Sequence, residues 1–457
     1  MSTQDTDTEK AAELEIANGL EAADVSKNKR RLVRKLDWIL LPLFTLIYCT
    51  NFVDRTAIGN AKIAGIEKDL GMVGFDYNIA LTVFYVFYIL SDIPSNLALK
   101  RFGSIWLAAM VTCFGIMSIA TAFVKSYSGL IVTRVFLGMA EGGTLYYRRT
   151  ELVLRIGIFF GVSAPLAGAF GGLLASGLLH VGDIGTVKSW RKIFLIEGMI
   201  TTGTGLVCFF ILPTDPQHTR MLSADEKALA LARIDADQTI RTYGRKEPTT
   251  FKLIWRSFNI NTTLCLVCYL MANISFQGLS LFMPTVIATP VVESQLRTVP
   301  PYLVGAVWAV VTTYISFRIK QRSSPIFASG FLMVLGYAIA AYGSYRYAAC
   351  FLSIAGGSPI GPLELAWGTD NAAPDTIRAV TSAIIPGFGA LGSVIAVWTY
   401  LPADAPNYHK GNSLNLGTTS AICVLAIFAA LYIRWENAKR DRVEELGYLH
   451  PRFRYQL

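Results

Sequence analysis

The stretch SIWLAAMVTCFGIMSIATAFV, residues 104–124, contains no charged side chain. A helix of about 20 apolar residues is long enough to cross the hydrocarbon core of a bilayer. The whole chain of 457 residues shares this character, because 53% of it is hydrophobic and only 16% is charged. Soluble domains carry about 25% charged residues. This composition excludes a soluble enzyme, a disordered protein and a disulfide-stapled secreted domain, and it predicts an all-α membrane protein with many spans.

Further apolar stretches lie on both sides of this one, and they fall into two groups of six. The predicted spans are 38–60, 78–98, 104–125, 128–145, 153–180, 191–212, 259–288, 300–317, 325–344, 348–368, 378–400 and 415–434. The predicted organisation is an N-terminal tail (1–36), a first six-helix bundle (37–212), a cytosolic linker (213–256), a second six-helix bundle (257–435) and a C-terminal tail (436–457). Within the linker, Ser223 followed by two acidic residues is typical of a helix N-cap.

The positive charge predicts the orientation of the spans. Most of the 41 lysine and arginine residues fall in segments that are inside if the N-terminus is inside, including a basic cluster at 27–35 directly before the first span. Cytoplasmic loops retain positive charge, so both termini are predicted to be cytosolic. Nucleic-acid binders carry their excess charge as a basic stripe on a soluble fold. No nucleic-acid partner is therefore expected, despite the net charge of +9.

Three spans carry charged residues, which are costly within a bilayer and usually face a cavity or a partner. Asp54 and Arg55 end the apolar run of the first span, and Glu197 interrupts the sixth. Arg134 and Glu141 lie seven residues apart in the fourth span. Seven residues turn a helix by about 700°, so these two side chains project from one face, about 10.5 Å apart along the axis.

These residue types suit an anion and a proton. The arginine fork of donors fits a carboxylate, so Arg55 and Arg134 are candidates for binding an anion. Burial favours the neutral form of a carboxyl group, so Asp54 and Glu141 are candidates for binding a proton. The alternative is that Asp54 neutralises Arg55, and Arg134 neutralises Glu141, in a rigid bundle.

Several other polar or small residues within the spans are candidates for a functional or a structural role. Asn51 lies one turn before Arg55, and Asn273 and Gln277 share a face of the seventh span, where they could bind substrate or bridge neighbouring helices. A structural role is predicted for Glu197. Every fourth residue from 164 to 176 is small, which predicts a close helix contact. Glycines and prolines at 356–362 predict an interrupted tenth helix, as at many transporter sites.

Several motifs jointly resemble one family over residues 36–445. They are NFVDRTAIGNAK (51–62), DIPSNLALKRFG (92–103), RVFLGMAEGG (134–143), AGAFGGLLA (167–175), IEG (196–198), LPTDP (212–216), LAWGTDNAAP (365–374) and DAPNY (404–408). They are similar to the anion:cation symporter group of the major facilitator superfamily, and in detail to the fungal allantoate permease family. The chain departs from that family after Glu141, where the fourth span has only about 18 residues before a basic loop begins near Tyr146.

The resemblance implies a major facilitator fold, in which two pseudo-symmetric bundles alternate access to a central site. It implies proton-coupled symport of a small organic anion, such as an allantoate-, nicotinate- or pantothenate-like carboxylate. No cofactor beyond the proton gradient is implied, and the protein is expected to act as a monomer in the plasma membrane. It assigns proton coupling and anion binding to Asp54, Arg55 and Glu141, and cytoplasmic gating to Lys100, Arg101 and Gly103.

Two rival functions remain open at this stage. An exporter of a secondary metabolite would share the same fold, because the direction of transport depends on the gradients. A non-transporting nutrient sensor would be a different class of protein. The shortened fourth span also raises the question of whether this exact chain transports at all.

Overall fold

The computed structural model describes residues 38, 42–141, 152–182, 187, 189–212, 223–224, 226–227, 258–287, 290–343, 345–372, 375–445 and 455–456. The chain divides into two units, residues 1–44 with 213–245 and residues 45–212 with 246–457. All helix contacts described below lie within the second unit. The predicted end of the fourth span at Leu145 lies outside the described residues, as does most of the predicted linker.

The described part of the chain contains twelve long helices, one for each predicted span. They are α1 (42–63), α2 (Asp76–Phe102), α3 (Ser104–Ala122), α4 (Tyr127–Glu141), α5 (Leu152–His180), α6 (Arg191–Ile211), α7 (Ile260–Ile287), α8 (Val291–Ile319), α9 (Ser323–Tyr342), α10 (Arg346–Asp370), α11 (Asp375–Val397) and α12 (His409–Glu445). Nine of them, within the described ranges, are long and apolar enough to cross a membrane. Helices predominate because a helix satisfies every backbone polar group within its own segment, as lipid requires.

Two helices differ from the sequence-based expectation. The interruption predicted in the tenth span is wrong, because α10 is continuous and contains Pro359 and Pro362. Its glycines serve close packing instead: a Cβ at Gly356 would lie 2.4 Å from the backbone oxygen of Ser329 in α9. The predicted start of the C-terminal tail at 436 falls inside α12, which continues to Glu445.

Most helices pack mainly against others of the same half, whereas α5 packs chiefly against α8 and α10 of the other half. Small residues permit the closest approaches. In the first half, α3 and α6 meet along three glycines, where a Cβ would lie within 3 Å of the partner's backbone: Gly115, Gly198 and Gly205. The halves also contact each other through α5 with α8 and α2 with α11. A Cβ at Gly59 of α1 would lie 2.4 Å from the backbone oxygen of Leu281 in α7. These contacts place α1 at the interface between the halves.

The predicted small-residue face of α5 is confirmed at the contact with α8. A Cβ at Gly168 would lie 2.6 Å from the ring of Tyr302, and one at Gly172 would lie 2.4 Å from the Thr298 Oγ1 atom and 2.8 Å from the backbone oxygen of Gln295. We expect Gly172→Ala to destabilise the protein by about 1–3 kcal/mol, the usual cost of overpacking. Thermal unfolding in detergent would measure this as a lower midpoint.

The matched control is Gly177→Ala on the same helix, where a Cβ would meet nothing within 4 Å. This variant should unfold at the wild-type temperature or slightly above it, because alanine favours helix over glycine. Equal stability of Gly172→Ala and Gly177→Ala would mean that α5 and α8 do not approach as closely as described.

In the linker, the few described residues include the predicted N-cap. The backbone N–H of Glu226 donates to Ser223 Oγ at 3.3 Å, and the Ser223 N–H donates to the Glu226 carboxylate at 3.0 Å. These reciprocal bonds form a capping box, the arrangement expected at the start of a helix.

Candidate functional site

The charged residues of α1 and α4 meet in the interior of the first half. Glu141 is 0% exposed, and Asp54 and Arg134 are each 1% exposed. Because consecutive helix residues point about 100° apart, Asp54 and Arg55 face different neighbours. Arg55 forms an ion pair with Glu141, while Arg134 lies within electrostatic range of Asp54. The pairing is thus crossed between the two helices and differs from the neutralisation within each helix considered from the sequence.

Two hydroxyl groups hold the Asp54 carboxylate. Ser118 of α3 donates to its Oδ1 at 2.7 Å, and Thr201 of α6 donates to its Oδ2 at 2.6 Å. Hydrogen bonds donated to a carboxylate stabilise its charged form. Asp54 therefore has one donor on each oxygen and a nearby guanidinium group, which makes an ionised state possible despite complete burial.

Aromatic rings surround the guanidinium of Arg55. Its Cζ atom lies 5.2 Å from the ring centroid of Tyr88 and 5.9 Å from that of Phe84, both in α2. Such contacts stabilise a cation by about 0.5–2 kcal/mol, and most where water is excluded. The side chain of Arg55 retains some exposure, 11%, whereas Glu141 has none. Arg55 is therefore the accessible member of the ion pair.

The buried guanidinium of Arg134 is only partly hydrogen-bonded. Its guanidinium lies 5.4 Å from the ring of Phe194, and its Nε and Nη2 atoms have no hydrogen-bond partner among the described residues. Leaving a charged donor buried without a partner costs more than the 1–3 kcal/mol typical of a neutral group. These two unpartnered nitrogen atoms allow Arg134 to bind a further anionic group.

The second half faces this site through α7. Tyr269 lies within electrostatic range of Arg55 and is hydrogen-bonded to Asn273. Asn273 also donates to the backbone oxygen of Gly389 in α11 at 3.2 Å, so it bridges helices and orients Tyr269. Gln277 is buried, and its Oε1 atom has no hydrogen-bond partner in the described part of the chain. Asn51 is buried one turn from Arg55 on α1.

The residues assigned to a gating loop lie at the junction of α2 and α3. Lys100 and Arg101 belong to the last turn of α2, and Arg101 is exposed. The connection is Gly103 alone, whose φ of 65° and ψ of −147° favour glycine. Of the described side chains, that of Arg101 contacts the ring of Phe102 and not the buried charges of α1 and α4.

Several residues of the site were missed by the sequence analysis. Ser118, Thr201 and Tyr269 are uncharged and are common types in membrane helices, so nothing in the sequence distinguishes them from packing residues. Outside this site, Glu364 of α10 was also missed, although a single carboxyl group in an apolar run is a usable signal. It is 0% exposed and lies beside the thiol of Cys265 in α7, in the other half of the protein.

The long helices in two groups, with charges buried near the interface of the halves, define a multi-pass membrane transporter. The sequence profile of the Major Facilitator Superfamily matches residues 44–397. The chain belongs to this superfamily, whose members are transporters rather than enzymes.

Known proteins similar to this chain agree with that assignment. An uncharacterized transporter of Schizosaccharomyces pombe is 33% identical, over 92% of this chain and 85% of the relative. The high-affinity nicotinic acid transporter of Saccharomyces cerevisiae is 30% identical, over 92% of this chain and 81% of the relative. The crystal structure of a bacterial homologue of the human lysosomal transporter Spinster, inward-facing and unoccupied, has a TM-score of 0.61 at 17% identity, over 87% of this chain and 96% of that one. This last likeness concerns the fold.

Proposed function

We propose that the protein is a proton-coupled symporter of a small organic anion, within the allantoate permease family. It acts as a monomer in a plasma membrane, with both termini cytosolic and without a cofactor. The carboxylate of the substrate binds Arg55 and Arg134, while Asp54 and Glu141 bind protons. The observation that carries the proposal is the buried Arg55–Glu141 ion pair beside the partly unpartnered Arg134.

The donor set favours a carboxylate. Arg134 has two unpartnered nitrogen atoms, and a guanidinium binds a carboxylate through two parallel hydrogen bonds. Tyr269, Gln277 and Asn51 supply polar groups nearby for the remainder of a small substrate. The similarity to a nicotinic acid transporter favours an aromatic or heterocyclic monocarboxylate, which the rings of Phe84 and Tyr88 suit.

The ion pair couples the proton to the anion. An ionised Glu141 competes with a substrate carboxylate for Arg55, and two carboxylates beside one guanidinium repel each other. Protonation of Glu141 weakens its bond to Arg55 and removes the repulsion. On the other side of α1, an ionised Asp54 likewise competes with the substrate for Arg134, and protonation of Asp54 removes that competition. Anion binding and proton binding thereby favour each other, as linkage requires.

The test is uptake into proteoliposomes with an imposed pH gradient, acid outside. Radiolabelled nicotinate, pantothenate and allantoate are the first probes. We expect at least one of them to accumulate above its external concentration, and a protonophore to abolish this accumulation. Uptake that equilibrates without responding to the gradient would exclude proton coupling. The absence of uptake for a broad set of carboxylates, at normal folding, would favour a sensor.

Removing the titratable group of Asp54 tests its role separately. Asp54→Asn keeps the shape and still accepts a hydrogen bond from Ser118 or Thr201, but it cannot bind or release a proton. We expect accumulation at acid external pH to fall at least about tenfold, because one coupled proton supports a tenfold ratio per pH unit. Thr201→Val, which removes one donor but keeps the carboxyl group, should retain accumulation and shift its pH dependence. Unchanged accumulation by Asp54→Asn would remove Asp54 from the coupling mechanism.

A further inference from the structure

A second buried carboxyl group lies next to Asp54, on α6. Glu197 is 1% exposed, and neither of its carboxyl oxygens has a hydrogen-bond partner among the described residues. Asp54 lies within its electrostatic range. Glu197 lies one turn before Thr201, whose hydroxyl donates to Asp54 at 2.6 Å. The two carboxyl groups therefore belong to one buried polar cluster among α1, α3 and α6.

The two carboxyl groups differ in what surrounds them. Asp54 has two hydroxyl donors and the nearby Arg134, all of which favour its anion. Among the described residues, Glu197 has neither a donor nor a counter-charge, and an isolated carboxylate without them is very costly to bury. Close carboxyl groups do not both ionise in such a site. The proton of the pair therefore lies on Glu197, and the negative charge lies on Asp54.

No other charge in the described surroundings neutralises Glu197. Helix α3 contains no charged residue. At the start of α6, Arg191 pairs with Asp69 and Lys192 donates to the backbone oxygen of Val181. His180 at the end of α5 contacts the backbone oxygen of Ser176. These three cationic or titratable side chains are therefore bound elsewhere, at the end of the bundle predicted to be outside.

Along α6, Glu197 lies between the outer end of the helix and Asp54, on the path of an entering proton. It lies six residues after Arg191, about 9 Å along the helix axis from that outer end. Thr201 and the Asp54 carboxylate lie about 6 Å deeper. A proton entering from outside along α6 reaches Glu197 before Asp54.

We infer that Glu197 is a further proton-binding residue of the carrier, which holds a proton at rest and passes it to Asp54. Because the Glu197 oxygens are not hydrogen-bonded to Asp54, one intervening water molecule carries the proton. The O–H bond of Glu197 breaks as the water gains that proton, the water gives a proton to an Asp54 oxygen, and the Glu197 carboxylate then takes the next proton from the outer side. This replaces the structural role predicted for Glu197 from the sequence. It rests on the proposed function, in which Asp54 must be protonated for coupled uptake.

The test compares Glu197→Gln, Glu197→Asp and Glu364→Gln in proteoliposomes. Each variant is assayed for net uptake of the substrate driven by external acid, and for exchange of labelled against unlabelled substrate at equal pH. Exchange does not require the carrier to take up and release protons in each cycle. We expect Glu197→Gln to slow net uptake about tenfold or more, since a lost proton-transfer group has at least that effect. Its exchange rate should stay within about twofold of the wild type.

The other two variants separate a relay from a structural role. Glu197→Asp keeps a carboxyl group and should recover most of the net uptake. Glu364→Gln changes an equally buried carboxyl group in the other half and should leave the ratio of net uptake to exchange unchanged. A parallel loss of net uptake and exchange in Glu197→Gln, with no recovery in Glu197→Asp, would overturn the inference. So would unchanged net uptake in Glu197→Gln.

An infrared measurement distinguishes failure of this inference from failure of the proposed function. At neutral pH the wild-type protein should show the carbonyl band of a protonated carboxyl group that Glu197→Gln lacks. If wild-type uptake ignores the pH gradient, the proposed symport fails whatever this band shows. If the band is the same in both proteins, Glu197 does not hold the proton, and the inference fails even where symport is present.

Discussion

Glu141→Gln is expected to abolish accumulation of substrate against its gradient while preserving exchange. The glutamine resembles a protonated glutamate, so Arg55 stays available to a substrate carboxylate at every pH. The carrier then binds and translocates the anion whether or not Asp54 is protonated, so the two are no longer coupled and uptake stops at equal concentrations. For a gradient of two pH units, the wild type with one coupled proton is limited to a ratio of about 100. The variant should reach a ratio of about 1.

Glutamine is preferable to alanine here, because removing one partner of a buried ion pair costs about 3–5 kcal/mol and risks misfolding. The matched control is Glu293→Gln on α8, which removes the carboxylate of an exposed ion pair with Arg297. Exposed pairs contribute little, so this control should accumulate substrate normally. Wild-type accumulation by Glu141→Gln would show that Glu141 does not carry the coupled proton.

Arg134→Lys is expected to weaken substrate binding strongly even though it conserves the charge. Lysine lacks the planar fork of donors that matches a carboxylate. Losing a charge-assisted hydrogen bond costs about 2–3 kcal/mol, which corresponds to a roughly 30- to 150-fold higher half-saturating concentration. The measurement is initial uptake over a range of substrate concentrations at a fixed acid pH.

Arg318→Lys is the control for Arg134→Lys, because Arg318 lies at the end of α8 with its Nε bonded to the hydroxyl of Tyr314 on the surface. It should leave the half-saturating concentration unchanged. A half-saturating concentration of Arg134→Lys within threefold of the wild type would mean that Arg134 stabilises Asp54 and does not contact the substrate. A normal amount of folded protein in the membrane is the condition for either conclusion.

Much of the fold could be predicted because the signal is local. Each span is a run of apolar residues whose length matches the bilayer, and each of the helices α1 to α12 coincides with such a run. The small residues at 164–176 likewise predicted the contact of α5 with another helix, although not that the partner is α8. The interruption predicted in α10 was wrong, because glycine and proline residues were interpreted from their local preferences. In the bundle, Gly356 permits the close approach of α9, and α10 is one continuous helix.

The candidate site was only partly predictable. Charged residues within apolar runs are visible in any sequence, so Asp54, Arg55, Arg134 and Glu141 were identified. Their partners were not, because the contacts join distant parts of the chain: Arg55 pairs with a residue 86 positions away, and Asp54 accepts from one 147 positions away. The donors Ser118 and Thr201 gave no signal, since a hydroxyl in a membrane helix is equally compatible with a bond to its own backbone.

The sequence by itself determined that this protein crosses the membrane many times, and which of its spans carry charge. Lipid cannot satisfy backbone polar groups or stabilise ions, so both properties are properties of single segments. Only the tertiary structure decided which arginine faces which carboxylate. Among the described residues, it gave Asp54 two hydroxyl donors and gave the neighbouring Glu197 none. The difference between the surroundings of Asp54 and Glu197 depends on side chains that three helices bring together. It cannot be seen in the sequence of any one helix.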